Sequence, residues 1–179
     1  MFVVLINSIM KKIHILKVIV DFIWIVSIPF IPIFIITIPL LFMYEGFGDF
    51  TATINGIKFN LETIDIPVKI FLTISMLLFL LILYCIYLFR KILSYFLRVK
   101  IFDNLVISSF KKIGDLLVIY SLLSMIVKFT FKVFHQQKVE FTIGLNVQIS
   151  VLCLGLFFMI LSEIFNIARI EKQENDLTI

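Results

Sequence analysis

The chain has 179 residues, of which 61% are hydrophobic and 16% charged, with a net charge of +4 and a mean hydropathy of +1.14. Soluble domains are about half apolar and about a quarter charged, so this composition excludes a soluble globular protein. The length accommodates about four membrane spans of roughly 20 residues each, with little left for a separate soluble domain. We therefore predict a single membrane domain over residues 1–179.

The amino-terminal segment is basic. Met10 is followed by Lys11, Lys12 and Lys17, a pattern typical of a cytoplasmic end that precedes a span. Met10 would itself make a natural start, so residues 1–9 are expected to be an extension or an interfacial tail. A cleavable signal peptide is disfavoured because no small-residue cleavage site follows the first apolar run.

Four apolar segments are predicted to cross the membrane. Their approximate bounds are 21–44, 70–89, 113–134 and 145–168. The first contains Pro29, Pro32 and Pro39, each of which removes a backbone donor, so this helix is expected to be bent.

The segments 45–67 and 135–144 are predicted to be outer loops. Asn55-Gly56 lies between alternating residues and is a strong signal for a two-residue hairpin turn. Lys138 to Ile143 also alternates, and it is expected to supply a third strand. The predicted fold is an all-α membrane protein with four transmembrane helices, both termini cytoplasmic, and a small extracytoplasmic β-sheet built by the two outer loops, from residues 50–61 and 138–144.

Residues 90–112 form a basic connector between the second and third spans. It holds six of the sixteen Lys and Arg residues, and Lys and Arg mark cytoplasmic loops. The connector is predicted to lie partly along the inner membrane interface. The tail, residues 169–179, is predicted to be on the same side, because the amino end, the connector and the tail together hold eleven of the sixteen basic residues.

Glu163 is the acid most in need of an explanation. Asp21 and Asp115 are expected at helix N-termini, where the helix dipole favours negative charge, whereas Glu163 is expected near a helix C-terminus. A partner is therefore predicted for it from the basic connector: Arg90, Lys91, Arg98, Lys111 or Lys112. A structural ion pair and a proton or cation site are the two interpretations.

No motif indicates an enzyme. The chain has no HExxH, P-loop, dinucleotide-binding turn or Gly-x-Ser-x-Gly elbow, and no cofactor is expected. Cys85 and Cys153 are predicted at opposite membrane faces, and His14 and His135 are far from any thiol, so no metal site is predicted. Direct nucleic-acid binding is not expected. A short basic connector close to the membrane is better suited to bind anionic lipid head groups.

Two cytoplasmic pieces carry a family resemblance. The closing run LSEIFNIARIEKQENDLTI, together with Phe102-Asp103-Asn104 before a helix that contains Gly114, resembles the DUF2975 family of bacterial four-helix membrane proteins, a domain of unknown function. The resemblance extends from about Lys11 to Ile179. It implies a multi-pass plasma-membrane protein that is commonly encoded beside a small helix-turn-helix regulator, and it supplies no activity.

The candidate functional residues lie in the connector and the tail. They are Phe102, Asp103, Asn104, Glu163, Glu171, Glu174, Asn175 and Asp176. Asp103 or Asn104 is expected to cap the third span, and the tail acids are expected to meet the basic connector, either as an electrostatic clasp or as a docking site for a cytoplasmic partner. The leading hypothesis is a non-enzymatic regulatory or sensing protein. The alternative is a small transporter or channel subunit that uses Glu163 and the bent first span.

Overall fold

The structure, a computed structural model, describes residues 2–44, 51–54, 57–60, 64–99, 101–134 and 146–177. Within these ranges, five helices and two short strands follow in chain order. They are α1 (Phe2–Ser27), α2 (Phe30–Met43), β1 (Thr51–Ile54), β2 (Ile57–Asn60), α3 (Ile66–Leu97), α4 (Asn104–Phe134) and α5 (Val147–Leu177).

Within the described residues, four helical segments are long and apolar enough to cross a membrane. They are Met10–Met43, Ile66–Leu97, Asn104–Phe134 and Val147–Asn175. Most of their large apolar side chains are exposed on the outside of the bundle, as lipid-facing surfaces require. The chain is an integral, multi-pass membrane protein.

Prolines divide the first of these segments. The helix is interrupted at Ile28 and Pro29, so α1 and α2 replace the single bent helix that the sequence predicts. Pro32 has no N–H to donate to the carbonyl of Ile28, and that carbonyl instead accepts a bond from the N–H of Ile31, at 3.1 Å. The tighter bond forms the turn that joins α1 to α2.

The predicted β-sheet joining the two outer loops is wrong. In the part of the chain that the structure describes, the sheet has two strands, β1 and β2, paired antiparallel with Thr51 opposite Asn60 and Ile54 opposite Ile57. Residues 138–144 lie outside the described residues. Alternation of Val139, Phe141 and Ile143 indicates strand tendency but fixes no pairing partner, and that is why it could not establish a sheet between distant loops.

The helices α3, α4 and α5 are longer than the predicted spans. At 1.5 Å per residue, the 32 residues of α3 extend about 48 Å, against about 30 Å for the hydrocarbon core of a bilayer. α3 continues past Phe89 to Leu97, and α4 begins at Asn104 rather than near residue 113. Within the described residues, the end of α3 and the start of α4 therefore form a helical hairpin from the connector, and the position of this hairpin relative to the membrane interface stays a prediction.

A buried core supports this hairpin. Ile92 on α3 and Val106 on α4 are each only 1% exposed, and they belong to a cluster that continues toward the membrane through Phe110, Ile113 and Leu117. We call this part of the bundle, residues 90–99, 101–112 and 166–177, the connector end.

The α4 and α5 helices pack closely through two glycines. A methyl group placed on Gly114 would lie 2.8 Å from the carbonyl oxygen of Gly155, and one on Gly155 would lie 3.0 Å from the carbonyl oxygen of Gly114. Small residues allow such close helix approach within membranes. Farther from the hairpin, near the start of α5, the buried hydroxyl of Ser121 donates to the carbonyl of Gln148 at 2.6 Å and joins the same two helices.

Candidate functional site

The turn Phe102-Asp103-Asn104 begins α4 at the connector end. The Asp103 carboxylate accepts a hydrogen bond from the backbone N–H of Leu105 at 2.9 Å. Its backbone carbonyl accepts bonds from the N–H groups of Val106 and Ile107. These bonds satisfy donors that every helix N-terminus leaves unpaired, so Asp103 fixes where α4 starts.

The tail end of α5 contacts this turn through two cationic side chains. The Arg169 guanidinium donates a hydrogen bond to the side-chain oxygen of Asn104. The Lys172 ammonium lies 6.0 Å from the centre of the Phe102 ring, at the outer limit of a cation–π contact. We call these four residues, Phe102, Asn104, Arg169 and Lys172, the connector–tail contact.

Aromatic rings behind the contact position it. Phe165 on α5 stacks on Phe110 of α4 with 5.5 Å between ring centres and also lies 6.1 Å from Phe102. Phe96 on α3 lies within 6.2 Å of both Phe110 and Phe165. The rings therefore join three helices, and they connect the position of the tail to the position of the membrane spans.

Glu163 lies in a groove between α4 and α5, on the membrane side of the contact. The groove has a volume of about 340 Å³ and is lined by Asn104, Leu105, Ile107, Ser108, Lys111, Ser162, Glu163 and Asn166. Within the described part of the chain, no cation lies within 4.0 Å of the Glu163 carboxylate. The wall of the groove is completed by the buried Ser162, whose hydroxyl donates a hydrogen bond to the Ile107 carbonyl at 2.9 Å.

Arg90 pairs with a different acid from the one expected. Its guanidinium forms an ion pair with the Asp21 carboxylate, and this contact joins α3 to α1. One turn further into the membrane, the Trp24 and Tyr87 rings are 5.5 Å apart. Asp21 therefore anchors the first helix to the bundle, a role that its predicted position at a helix N-terminus did not suggest.

The remaining predicted residues lie on the surface of the connector end. Lys91, Arg98, Lys111, Lys112, Glu171, Glu174 and Asn175 are all exposed. Glu171 has no cation within 4.0 Å in the described part of the chain. Asp176 lies in the last turn of α5, and its side chain is outside the described residues. Arg169 and Lys172, the cations of the tail, thus both contact the turn.

Sequence reasoning missed the aromatic set and the tail cations. Phe89 and Phe96, and likewise Phe158 and Phe165, are seven residues apart, and this spacing places each pair on one helix face. This spacing could have predicted that the two helices continue past the predicted spans and pack against other helices there. No local pattern links Asn104 to Arg169, 65 residues away in the sequence.

A family model described as a protein of unknown function, DUF2975, matches residues 19–179. The chain belongs to the DUF2975 family. The resemblance predicted from the connector and the tail is confirmed, and the DUF2975 match includes every residue of the connector–tail contact and of the groove. No curated protein and no solved structure matches the chain.

Proposed function

We propose that this DUF2975 protein is a non-enzymatic regulatory or sensing component of a bacterial plasma membrane, acting through the connector end on a cytoplasmic partner. The connector–tail contact is the observation that carries the proposal. Arg169 and Lys172 hold the end of α5 against the turn that starts α4, beyond the length of helix that the membrane needs.

Charge supports a cytoplasmic position for the connector end. Eleven of the sixteen Lys and Arg residues lie in the amino end, the connector and the tail. The Asp21–Arg90 ion pair and the Arg169–Asn104 bond bring these three basic segments to one end of the bundle. Because basic segments are retained in the cytoplasm, both termini are assigned to that side.

The tail offers a surface for a partner. Residues 171–175 are helical and all exposed, so this length of α5 presents a solvent-facing surface around the contact of Lys172 with Phe102. Its sequence, EKQEN, carries both signs of charge, which favours specific electrostatic complementarity over general attachment to an anionic membrane.

The helices give the tail a mechanical connection to the membrane. α5 is continuous from Val147 to Leu177, and its central part is tightly packed on α4 at Gly114 and Gly155. A shift of α5 against α4 inside the membrane would move Arg169 relative to Asn104 and so change the surface presented to the partner. Sensing is therefore proposed to operate through the relative position of these two helices.

The proposed partner is a small helix-turn-helix regulator, which the family resemblance implies as a frequent genetic neighbour. The test is co-expression of the two proteins followed by purification of the membrane protein, with and without residues 171–179. Loss of co-purification with intact insertion is the expected result. Equal recovery of the regulator with the shortened protein would contradict the proposal.

The transporter alternative stays a prediction. Glu163 is exposed in a surface groove between α4 and α5 and does not lie in the interior of the bundle. The helices α1 and α2 contact α3 at the periphery of the described bundle. Neither placement supplies an observation that favours a transport path.

A further inference from the structure

Two opposite charges share the groove between α4 and α5 without pairing with each other. Lys111 stands on the α4 wall and Glu163 on the α5 wall, and the described residues offer no ion pair to either. The rest of the polar lining is neutral: Asn104, Ser108, Ser162 and Asn166. A ligand that matches this lining carries one positive and one negative group.

Helix length places the groove near the boundary between the hydrocarbon core and the lipid head groups. Counted from Val147 as the outer edge of the membrane, Glu163 is 16 residues, or about 24 Å, along α5, near the inner edge of a hydrocarbon core of about 30 Å. An exposed carboxylate at this depth is costly unless a cation from the protein or the bilayer accompanies it. The Lys111 stem can reach the head-group region from the same depth.

Exposed apolar side chains stand on both helices of the groove, toward the middle of the membrane. Ile160, one turn from Glu163, is 60% exposed, and Ile119 on α4 is 47% exposed. These surfaces suit acyl chains attached to a head group held in the groove. A soluble zwitterion would gain nothing from them, so the arrangement favours a membrane lipid.

We propose that this groove binds the head group of phosphatidylethanolamine. The lipid ammonium donates hydrogen bonds to the Glu163 carboxylate, and the phosphate accepts from the Lys111 ammonium. The Asn166 amide donates a neutral hydrogen bond to the phosphate. Phosphatidylcholine has a quaternary ammonium with no N–H to donate, and phosphatidylglycerol has no cation. Neither lipid can therefore bind both the Glu163 carboxylate and the Lys111 ammonium as phosphatidylethanolamine does.

The test is lipid titration of the purified full-length protein, followed by native mass spectrometry, with the three lipids carrying identical acyl chains. Wild-type protein is expected to bind phosphatidylethanolamine about fivefold or more tightly than either competitor, the size expected from about 1 kcal/mol of charge-assisted hydrogen bonding. Glu163→Gln is expected to abolish the preference over phosphatidylcholine. Lys111→Gln is expected to weaken the binding of all three lipids, because each of them carries a phosphate.

Matched controls lie close by. Lys112→Gln removes the same charge from the neighbouring residue outside the groove lining, and Glu171→Gln removes an exposed acid from the tail. Both are expected to bind as wild type does. Equal affinity of wild-type protein for the three lipids would overturn the proposal, as would an effect of Lys112→Gln equal to that of Lys111→Gln. Competition by glycerophosphoethanolamine, which lacks acyl chains, at the same concentration as the lipid would assign the groove to a soluble ligand instead.

Discussion

Arg169, near the end of α5, donates a hydrogen bond to the side chain of Asn104, the first residue of α4. The two residues are 65 positions apart, and their contact closes the connector end of the bundle. It makes the start of one membrane helix a neighbour of the end of another. The tail position therefore depends on how α4 and α5 sit together in the membrane.

Arg169→Gln is expected to loosen the tail. The hydrogen bond is exposed, so its loss is expected to cost about 1 kcal/mol, less than the loss of a buried charged bond. This cost corresponds to about fivefold faster amide exchange in residues 170–175. Hydrogen exchange of the protein in nanodiscs measures this. Arg98→Gln, which removes an exposed arginine from the connector, is the control. Unchanged tail exchange in Arg169→Gln would show that the bond does not hold the tail.

Asp103→Ala is expected to destabilise the start of α4. Loss of the bond from the Leu105 N–H to the Asp103 carboxylate removes an N-cap, which typically costs about 1 kcal/mol. Asp103→Ser is expected to retain most of the stability, because serine also caps. Asp65→Ala is a useful comparison, since Asp65 stands at the N-cap of α3 without a side-chain capping bond. Equal losses of stability in denaturant titrations of Asp103→Ala and Asp65→Ala would contradict the role given to Asp103.

Gly114→Ala is expected to be more damaging than Gly155→Ala. The new methyl on Gly114 would lie 2.8 Å from a backbone oxygen and 2.9 Å from the backbone nitrogen of Met159, so the helices must separate. The corresponding backbone contacts at Gly155 are 3.0 Å. Overpacking of this kind costs about 1–3 kcal/mol. Thermal unfolding in detergent checks the order, and a larger fall in midpoint for Gly155→Ala would refute it.

Asp21→Asn is expected to release α1 from α3. The two side chains of the Asp21–Arg90 pair are 28% and 40% exposed, so solvent screening limits the effect on global stability to less than about 1 kcal/mol. The local effect is easier to observe, because Trp24 is the chain's single tryptophan and packs on Tyr87. Quenching of its fluorescence by brominated lipids is expected to increase in Asp21→Asn and to stay unchanged in Asp115→Asn. Equal quenching in wild type and Asp21→Asn would exclude the anchoring role.

The four apolar spans follow from composition, whereas the end of the bundle that carries the candidate site does not. Arg90 and Lys91 predict where a helix leaves the hydrocarbon, but charge density does not say where a helix ends. The apolar face of Ile92, Leu93 and Phe96 has the same spacing whether it packs on lipid or on protein. Only the fold shows that Ile92 is buried against α4.

The partners of individual charges were the least predictable feature. Arg90 and Lys111 are both among the predicted partners of Glu163, and the sequence leaves the choice between them open. The structure pairs Arg90 with Asp21 and leaves Lys111 and Glu163 on opposite walls of one groove. Such choices depend on helix rotation, and helix rotation is set by contacts such as Gly114 with Gly155 that are distant in sequence.

The most direct test of the proposed function is site-specific crosslinking to the co-expressed helix-turn-helix regulator. A photoreactive amino acid replaces Gln173, exposed on the tail helix, or Leu122, which is 48% exposed on the membrane-facing part of α4. A crosslink to the regulator from position 173 and none from position 122 is the predicted result. Absence of a crosslink from position 173, with the regulator present and the variant inserted, would contradict docking at the connector end.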